Sequence, residues 1–270
     1  MQPTRKATSR RYLVCPPEHF DVVYSINPWM DPCDTVDREL ALKQWHHLVS
    51  VFEGLGHRVD QVAPVPGLPD MVFAANAAMV VDGKVFGARF LNPERQPEAA
   101  HYRAWFEESG FRVRSSTSIC EGEGDFVWVA GTLLAGTGFR TASAAHSTAS
   151  SYFGKPTVSL TLVDPRFYHL DTALFALDDK NIAYYPDAFS SASQKLLTEM
   201  FPSAVIATEE DAAAFGLNSV SDGGSVVIAQ GATGLIRTLE IQGYQPVPVD
   251  MSELHKAGGG AKCCTLEIRG

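Results

Sequence analysis

The chain lacks most of the features that mark a function at first sight. Its 22 Lys and Arg face 31 Asp and Glu, a formal net charge of −9, and no basic cluster occurs beyond the first dozen residues. Binding to nucleic acid requires a cationic footprint, and none is present. No HExxH, CxxC or EF-hand spacing occurs, so no metal site is expected. The segment GGGAKCCT lacks the glycine and Lys-Ser/Thr spacing of a phosphate-binding loop. Long apolar runs are missing too. RYLVCPP, which follows the basic MQPTRKATSRR, is too short for a signal core or a membrane span. The five cysteines are odd in number and unevenly spaced, which fits free thiols in a reducing compartment rather than a disulfide framework. The expectation is a cytoplasmic protein with no membrane, nucleic-acid or cofactor partner.

What is present is an ordinary globular composition, 45% hydrophobic and 20% charged, with no linker or low-complexity tract to divide it. One domain over 1–270 is expected; the sequence sets no oligomeric state and is compatible with a homo-oligomer. A supersecondary pattern recurs. Helices are predicted over about 37–55, 97–109 and 190–200, with a fourth before Gly243. Gly56, Gly110 and Gly243 stand where a helix C-terminal cap is expected. Each helix leads into a strand: HRVDQVAP, FRVRSS, PSAVIA and YQPVPVD. Hairpins are predicted at 77–90 around Asp82-Gly83-Lys84, at 125–136 around Gly131-Thr132, at 172–185 and at 219–229 around Gly223-Gly224. The unit is hairpin, helix, strand, at a period of roughly fifty residues, in the range of repeat architectures. The last unit, 263–268, is incomplete, and the N-terminal strand Tyr12–Cys15 could complete it by closing a ring.

A polar cluster heads each hairpin. The first holds Asp70 and Asn76, the second Glu121, Glu123 and Asp125, the third His169 and Asp171, the fourth Asn218, and the fifth Cys263. Singly, each has a plain structural use: a turn cap, a solvated loop, a local hydrogen bond, a buried small thiol. The remaining histidines, His19, His46, His47, His57, His101, His146 and His255, have no partner at ligand spacing and read as surface or satisfied groups. If the five units surround an axis with the clustered ends inward, a nucleophile, an imidazole and carboxylates meet at one cavity. The three glycines Gly258–Gly260 let backbone approach a small ligand closely beside that thiol.

The set PDMVFAANAA, NPERQPE, EGEGD, HLDT and GGGAKCCTLE, in this order, resembles the guanidine-modifying, or pentein, superfamily, from about Val14 to Gly270. That superfamily includes dimethylargininase, arginine deiminase, arginine dihydrolase and amidinotransferases. The resemblance implies a five-bladed pseudo-symmetric α/β propeller, in agreement with the repeat. It implies Cys263 as nucleophile, His169 as general acid and base, and Glu121 as the catalytic acid. One extra residue in the Glu-Gly-Glu-Gly-Asp segment leaves Glu123 as an alternative, with Asp125 in the terminal position. Asp171 is implied as a guanidinium holder. Asp70, Asn76, Arg95, Arg140 and Asn27 are implied as substrate contacts, the two arginines suited to an α-carboxylate. Typical dimethylargininases carry Glu-Asp where this chain has Ala75-Asn76, a form closer to the arginine dihydrolase branch.

The implied activity is hydrolysis of the guanidino group of free arginine-type amino acids through a covalent amidino-thioether. The leading expectation is dimethylargininase; the alternatives are arginine dihydrolase, arginine deiminase and, less expected, amidinotransfer. A different class, a non-catalytic binder of basic amino acids, would have no use for a nucleophile.

Overall fold

Five hydrophobic strand pairs separated by helices cannot bury both faces of any one sheet, so the repeats must pack side by side. In the computed structural model, which describes residues 5–270, they do so around a common axis; the first four residues of the expected 1–270 unit lie outside the described residues. Strand β1 (Arg11–Val14) is followed by α1 (Arg38–Gly54) and β2 (Arg58–Gln61), which pairs parallel to β1. The next blade is β3 (Ala78–Val81), β4 (Lys84–Gly87), α2 (Glu98–Glu108) and β5 (Val113–Ser115). A four-residue helix, α3 (Gly122–Asp125), opens the third: β6 (Phe126–Val129), β7 (Thr132–Thr137), α4 (Ser143–Phe153) and β8 (Thr157–Thr161). The fourth is β9 (Leu174–Ala176), β10 (Ile182–Tyr184), α5 (Ser191–Met200) and β11 (Val205–Ile206). After α6 (Glu209–Ala213) come β12 (Val220–Ser221), β13 (Ser225–Ala229), α7 (Thr233–Ile241) and β14 (Gln245–Val249). A single turn, α8 (Ser252–His255), precedes β15 (Leu266–Glu267), which pairs antiparallel with β1 and completes the first blade.

Each sheet therefore has three strands: an antiparallel pair, a hairpin in four blades and β15 with β1 in the first, and a third strand returning parallel through the helix. The first strands of the blades line the axis, since β15 touches β3 and β9 touches both β6 and β12. The ring closure expected of Tyr12 and the C-terminal segment is present as Tyr12 opposite Glu267 and Leu13 opposite Leu266. Aliphatic and aromatic side chains pack between sheets and helices; Trp45 and Phe52 of α1 and Tyr102 and Phe106 of α2 are fully buried.

Three short helices, α3, α6 and α8, and one full-length helix go beyond the sequence reading. The segment 143–153 is rich in Ser, Thr and Ala and carries no strong periodic signal, yet it is α4. Ala145, Ala149 and Phe153 face the core, while the Thr148 and Ser151 hydroxyls bond carbonyls one turn back, at 3.0 and 2.9 Å. Tertiary packing supplies what propensity withholds. No described helix is long and apolar enough to cross a membrane.

Candidate active site

The polar clusters all lie just before an axial strand, so the repeat carries them to one end of the axis. Cys263 precedes β15, His169 and Asp171 precede β9, Glu121 precedes β6, Asn76 and Asp70 precede β3, and Asn218 precedes β12. All seven are buried.

The geometry separates two carboxylates that spacing could not. Glu121 Oε2 lies 2.7 Å from His169 Nε2 and 3.0 Å from a guanidinium nitrogen of Arg140, while Oε1 accepts from the Leu91 N–H at 3.1 Å. Burial pushes the Glu121 carboxyl up, but the His169 hydrogen bond and Arg140 outweigh it and hold the group well below the usual carboxylate range. Glu123, two residues on, faces elsewhere. It accepts from Lys262 Nζ at 2.7 Å and from the Glu267 N–H at 3.0 Å, and it pairs with Arg269. One turn of α3 has sent the two side chains to opposite sides. Asp125 accepts from the Thr141 and Leu170 N–H groups, each at 3.1 Å, and so anchors the backbone beside His169.

Cys263 Sγ is 3.4 Å from Asp171 Oδ2 and 3.1 Å from Asn218 Nδ2. Burial, then Asp171, push the Cys263 thiol well up, so sulfur rests protonated at neutral pH. Burial also raises the Asp171 carboxyl to about 6, although His169 and Lys262 oppose it. Among the described residues, four buried polar atoms of this cluster have no hydrogen-bond partner: Asp70 Oδ1, Asn76 Nδ2, His169 Nδ1 and Asp171 Oδ1. Such atoms are costly unless a ligand or water meets them. Two are carboxylate oxygens, which suits a cation with N–H donors.

Close approach depends on glycine at two points. A Cβ on Gly124 would stand 2.4 Å from Asn76 Nδ2 and 3.2 Å from the His169 ring, so only glycine lets the amide and the imidazole share that space. A Cβ on Gly259 would stand 2.3 Å from the Phe73 ring and 3.1 Å from the Cys263 side chain.

The other expected substrate contacts lie close by but are committed elsewhere. Arg95 forms a two-pronged pair with Glu98, at 2.9 and 2.8 Å, and donates to Asn76 Oδ1 at 2.7 Å and to the Asp70 carbonyl at 3.2 Å. Arg140 also donates to the Ile26 carbonyl and stacks over Tyr168. Asn27 receives the Trp29 N–H and donates to the Ala257 carbonyl at 3.0 Å, fastening the triple-glycine loop from the far side. Glu98 was not singled out from sequence; its place three residues after Arg95 on a helix start was the available signal. His255, expected to be exposed or satisfied, is neither. It is half-buried, stacks on Phe215 at 4.4 Å, and leaves an enclosed Nε2 without a partner among the described residues, and desolvation lowers its pKa to about 4. His146 is satisfied as expected, by Ser159 and the Gly136 carbonyl.

No family model matches the chain. It is 49% identical over 264 residues, 98% of its length and 87% of the relative's, to the N(G),N(G)-dimethylarginine dimethylaminohydrolase of Mycobacterium tuberculosis. It is 37% identical, over 97% of its length, to the bifunctional arginine dihydrolase/ornithine cyclodeaminase AgrE of Nostoc, of which it spans 38%. Among solved structures, the N-terminal domain of a variant of ArgZ, covalently bound to a reaction intermediate, matches with a TM-score of 0.93 at 36% identity, covering 96% of this chain and 98% of that one. A variant of the Pseudomonas aeruginosa dimethylargininase complexed with citrulline matches with a TM-score of 0.82 at 18% identity, covering 97% of this chain and all of the other, and so shares the fold. Taken with the five three-stranded blades, these relationships show that the chain belongs to the dimethylargininase and arginine dihydrolase family of the pentein superfamily.

Proposed function

We propose that the protein hydrolyses the guanidino group of free methylated arginine, releasing citrulline and a methylamine. The observation that carries this reading is the unpartnered Asp171 Oδ1 beside the Cys263 sulfur, with the free Nδ1 of His169 in the same buried cluster. A buried anionic oxygen calls for a cation, and a sulfur beside it calls for an electrophile carried by that cation. A guanidinium is both. The identity to the mycobacterial dimethylargininase supports the assignment.

The steps follow from the groups. Asp171 and Asp70 take the guanidinium N–H donors and turn its carbon toward Sγ. The incoming positive charge offsets the burial and the Asp171 field that keep the thiol protonated, so the thiolate forms as substrate binds and the thiol proton passes to the free Nδ1 of His169. Sulfur adds to the guanidinium carbon, and the C–N bond to dimethylamine breaks as His169 Nδ1 gives its proton to the departing nitrogen. Glu121, held on Nε2 and buttressed by Arg140, fixes the ring so that Nδ1 is the working atom. The neutral Nδ1 then takes a proton from water as its oxygen adds to the amidino carbon, and the C–S bond breaks to return thiolate and citrulline.

A second reading, arginine dihydrolase, has specific support in Asn76, whose Nδ2 is unpartnered beside His169, and in the kinship to AgrE. Mass spectrometry of products from arginine, monomethylarginine and dimethylarginine separates the two. Methylamine with citrulline, lost in Cys263→Ala, supports the first reading; ornithine and ammonia from unmethylated arginine refute it in favour of the second. Turnover that survives Cys263→Ala refutes both.

A further inference from the structure

We propose that Asn218 is a further catalytic residue of this site, holding the Cys263 sulfur through its side-chain amide as charge develops there; the inference rests on the reading of Cys263 as nucleophile. Asn218 occupies, in its blade, the place that Cys263, His169 and Glu121 occupy in theirs: the last turn before the axial strand. Its side chain is fully enclosed and all four amide positions are used. Oδ1 accepts the Gly260 N–H and the Cys263 N–H, each at 3.0 Å. Nδ2 donates to the Asp171 carbonyl at 3.1 Å and to Cys263 Sγ at 3.1 Å.

This arrangement fixes the orientation of the amide without ambiguity. Two backbone donors can only face the oxygen, so the nitrogen must face the sulfur. Asn218 thereby joins the three chain segments whose register the reaction depends on: the glycine loop, the nucleophile and the segment bearing Asp171. The Lys262 N–H adds a bond to the Asn218 carbonyl at 3.1 Å, so main chain and side chain both grip the 260–263 turn. The backbone of Asn218 is in turn set by Phe215, which sits at φ 59° and accepts the Asn218 N–H on its carbonyl.

The chemical consequence is specific. A neutral amide N–H gains little from a protonated thiol, whereas its hydrogen bond to a thiolate is charge-assisted and roughly twice as strong. Asp171, 3.4 Å from the same sulfur, does the reverse: its negative charge disfavours thiolate until a cation arrives. Asn218 is thus the side-chain donor that favours the anion whether or not substrate is bound, and it serves again when sulfur leaves the amidino carbon.

The test uses Asn218→Asp and Asn218→Ala in the full chain. The pH dependence of Cys263 alkylation by iodoacetamide is read alongside kcat, KM and thermal melting. Asn218→Asp keeps an acceptor for the Gly260 and Cys263 N–H groups but turns a carboxylate oxygen toward sulfur. The expected result is a melting temperature within a few degrees of wild type, an alkylation midpoint displaced upward by about one pH unit or more, and kcat down on the order of 10²-fold with KM little changed. Asn218→Ala should show the same direction with a smaller displacement. An alkylation profile superimposable on wild type in either folded variant overturns the proposal and leaves Asn218 a purely structural clamp. Should both variants fail to fold, the wild-type amide signals of Asn218 in NMR carry the test. One Nδ2 proton should move downfield as Cys263 titrates while its partner stays; equal or no movement overturns the proposal. Alkylation needs no substrate, so a wild type that alkylates normally but turns over no guanidine would sink the enzymatic reading separately.

Discussion

Asp171→Asn should make the protein more stable and markedly less active at once. The Asp171 carboxyl is fully buried and its pKa rises from 3.8 to about 6, chiefly because burial penalises the charge. A raised carboxyl contributes stability below the unfolded-state value and loses it as pH climbs through the folded-state value. Holding the carboxylate ionised at neutral pH therefore costs about 3 kcal/mol, an upper bound for what a neutral side chain of the same shape recovers. For a chain of 270 residues that corresponds to a melting temperature higher by roughly 5 °C at pH 7. The advantage should shrink between pH 6 and 4, where Asp171 itself becomes neutral. Activity moves the other way. A charge-assisted hydrogen bond to the guanidinium is worth about 1.5–3 kcal/mol, so kcat/KM should fall on the order of 10–100-fold from that bond alone. Calorimetry at pH 7 and pH 4.5, with initial rates at pH 7, reads both. A variant less stable than wild type at pH 7, or a stability gap that does not change with pH, refutes the argument that Asp171 is held charged for binding at the expense of the fold.

The two neighbouring glutamates should fail differently. Glu121→Gln removes the carboxylate on His169 and is expected to lower kcat about 10²–10⁴-fold, the usual range for general acid–base chemistry. Glu123→Gln leaves Lys262 without a carboxylate and Arg269 with Glu267 alone, and should show mainly as lost stability, on the order of 3 kcal/mol by denaturant unfolding. Equal kinetic losses in the two would contradict the division of labour. Gly124→Ala forces Asn76 and His169 apart and should abolish measurable turnover while circular dichroism stays native-like; near-normal turnover would show that the contact is dispensable. Without substrate, iodoacetamide should alkylate Cys263 slowly at pH 7 and faster as pH rises, because the thiol is pushed up by burial and Asp171; a rate already at its plateau at pH 7 would contradict this.

The repeat was legible because its punctuation is chemical. Gly56, Gly110 and Gly243 all take left-handed backbone just past their helices, and Asp82-Gly83 turns the first hairpin with both residues at positive φ. The cluster at the head of each hairpin was legible for the same reason, since each precedes an axial strand. Three things were hidden. α4 has the composition of a loop, and only the burial of Ala145, Ala149 and Phe153 makes it a helix. Glu121 and Glu123 are two residues apart, and their fates are decided by a single helical turn that spacing cannot resolve. The resemblance implies Arg95 and Arg140 as contacts for an α-carboxylate; what sequence does not show is that each also meets a buried carboxylate from another position, Glu98 and Glu121. Asn218 shows the same limit. Its place in the repeat was visible, but its grip on sulfur required the glycine loop to come within reach.

The most direct test of the central claim is rapid-quench mass spectrometry of the protein mixed with excess dimethylarginine. An amidino adduct should form on the peptide bearing Cys263 before product appears, and be absent in Cys263→Ser. Turnover without that adduct, or an adduct on any other residue, would contradict the claim.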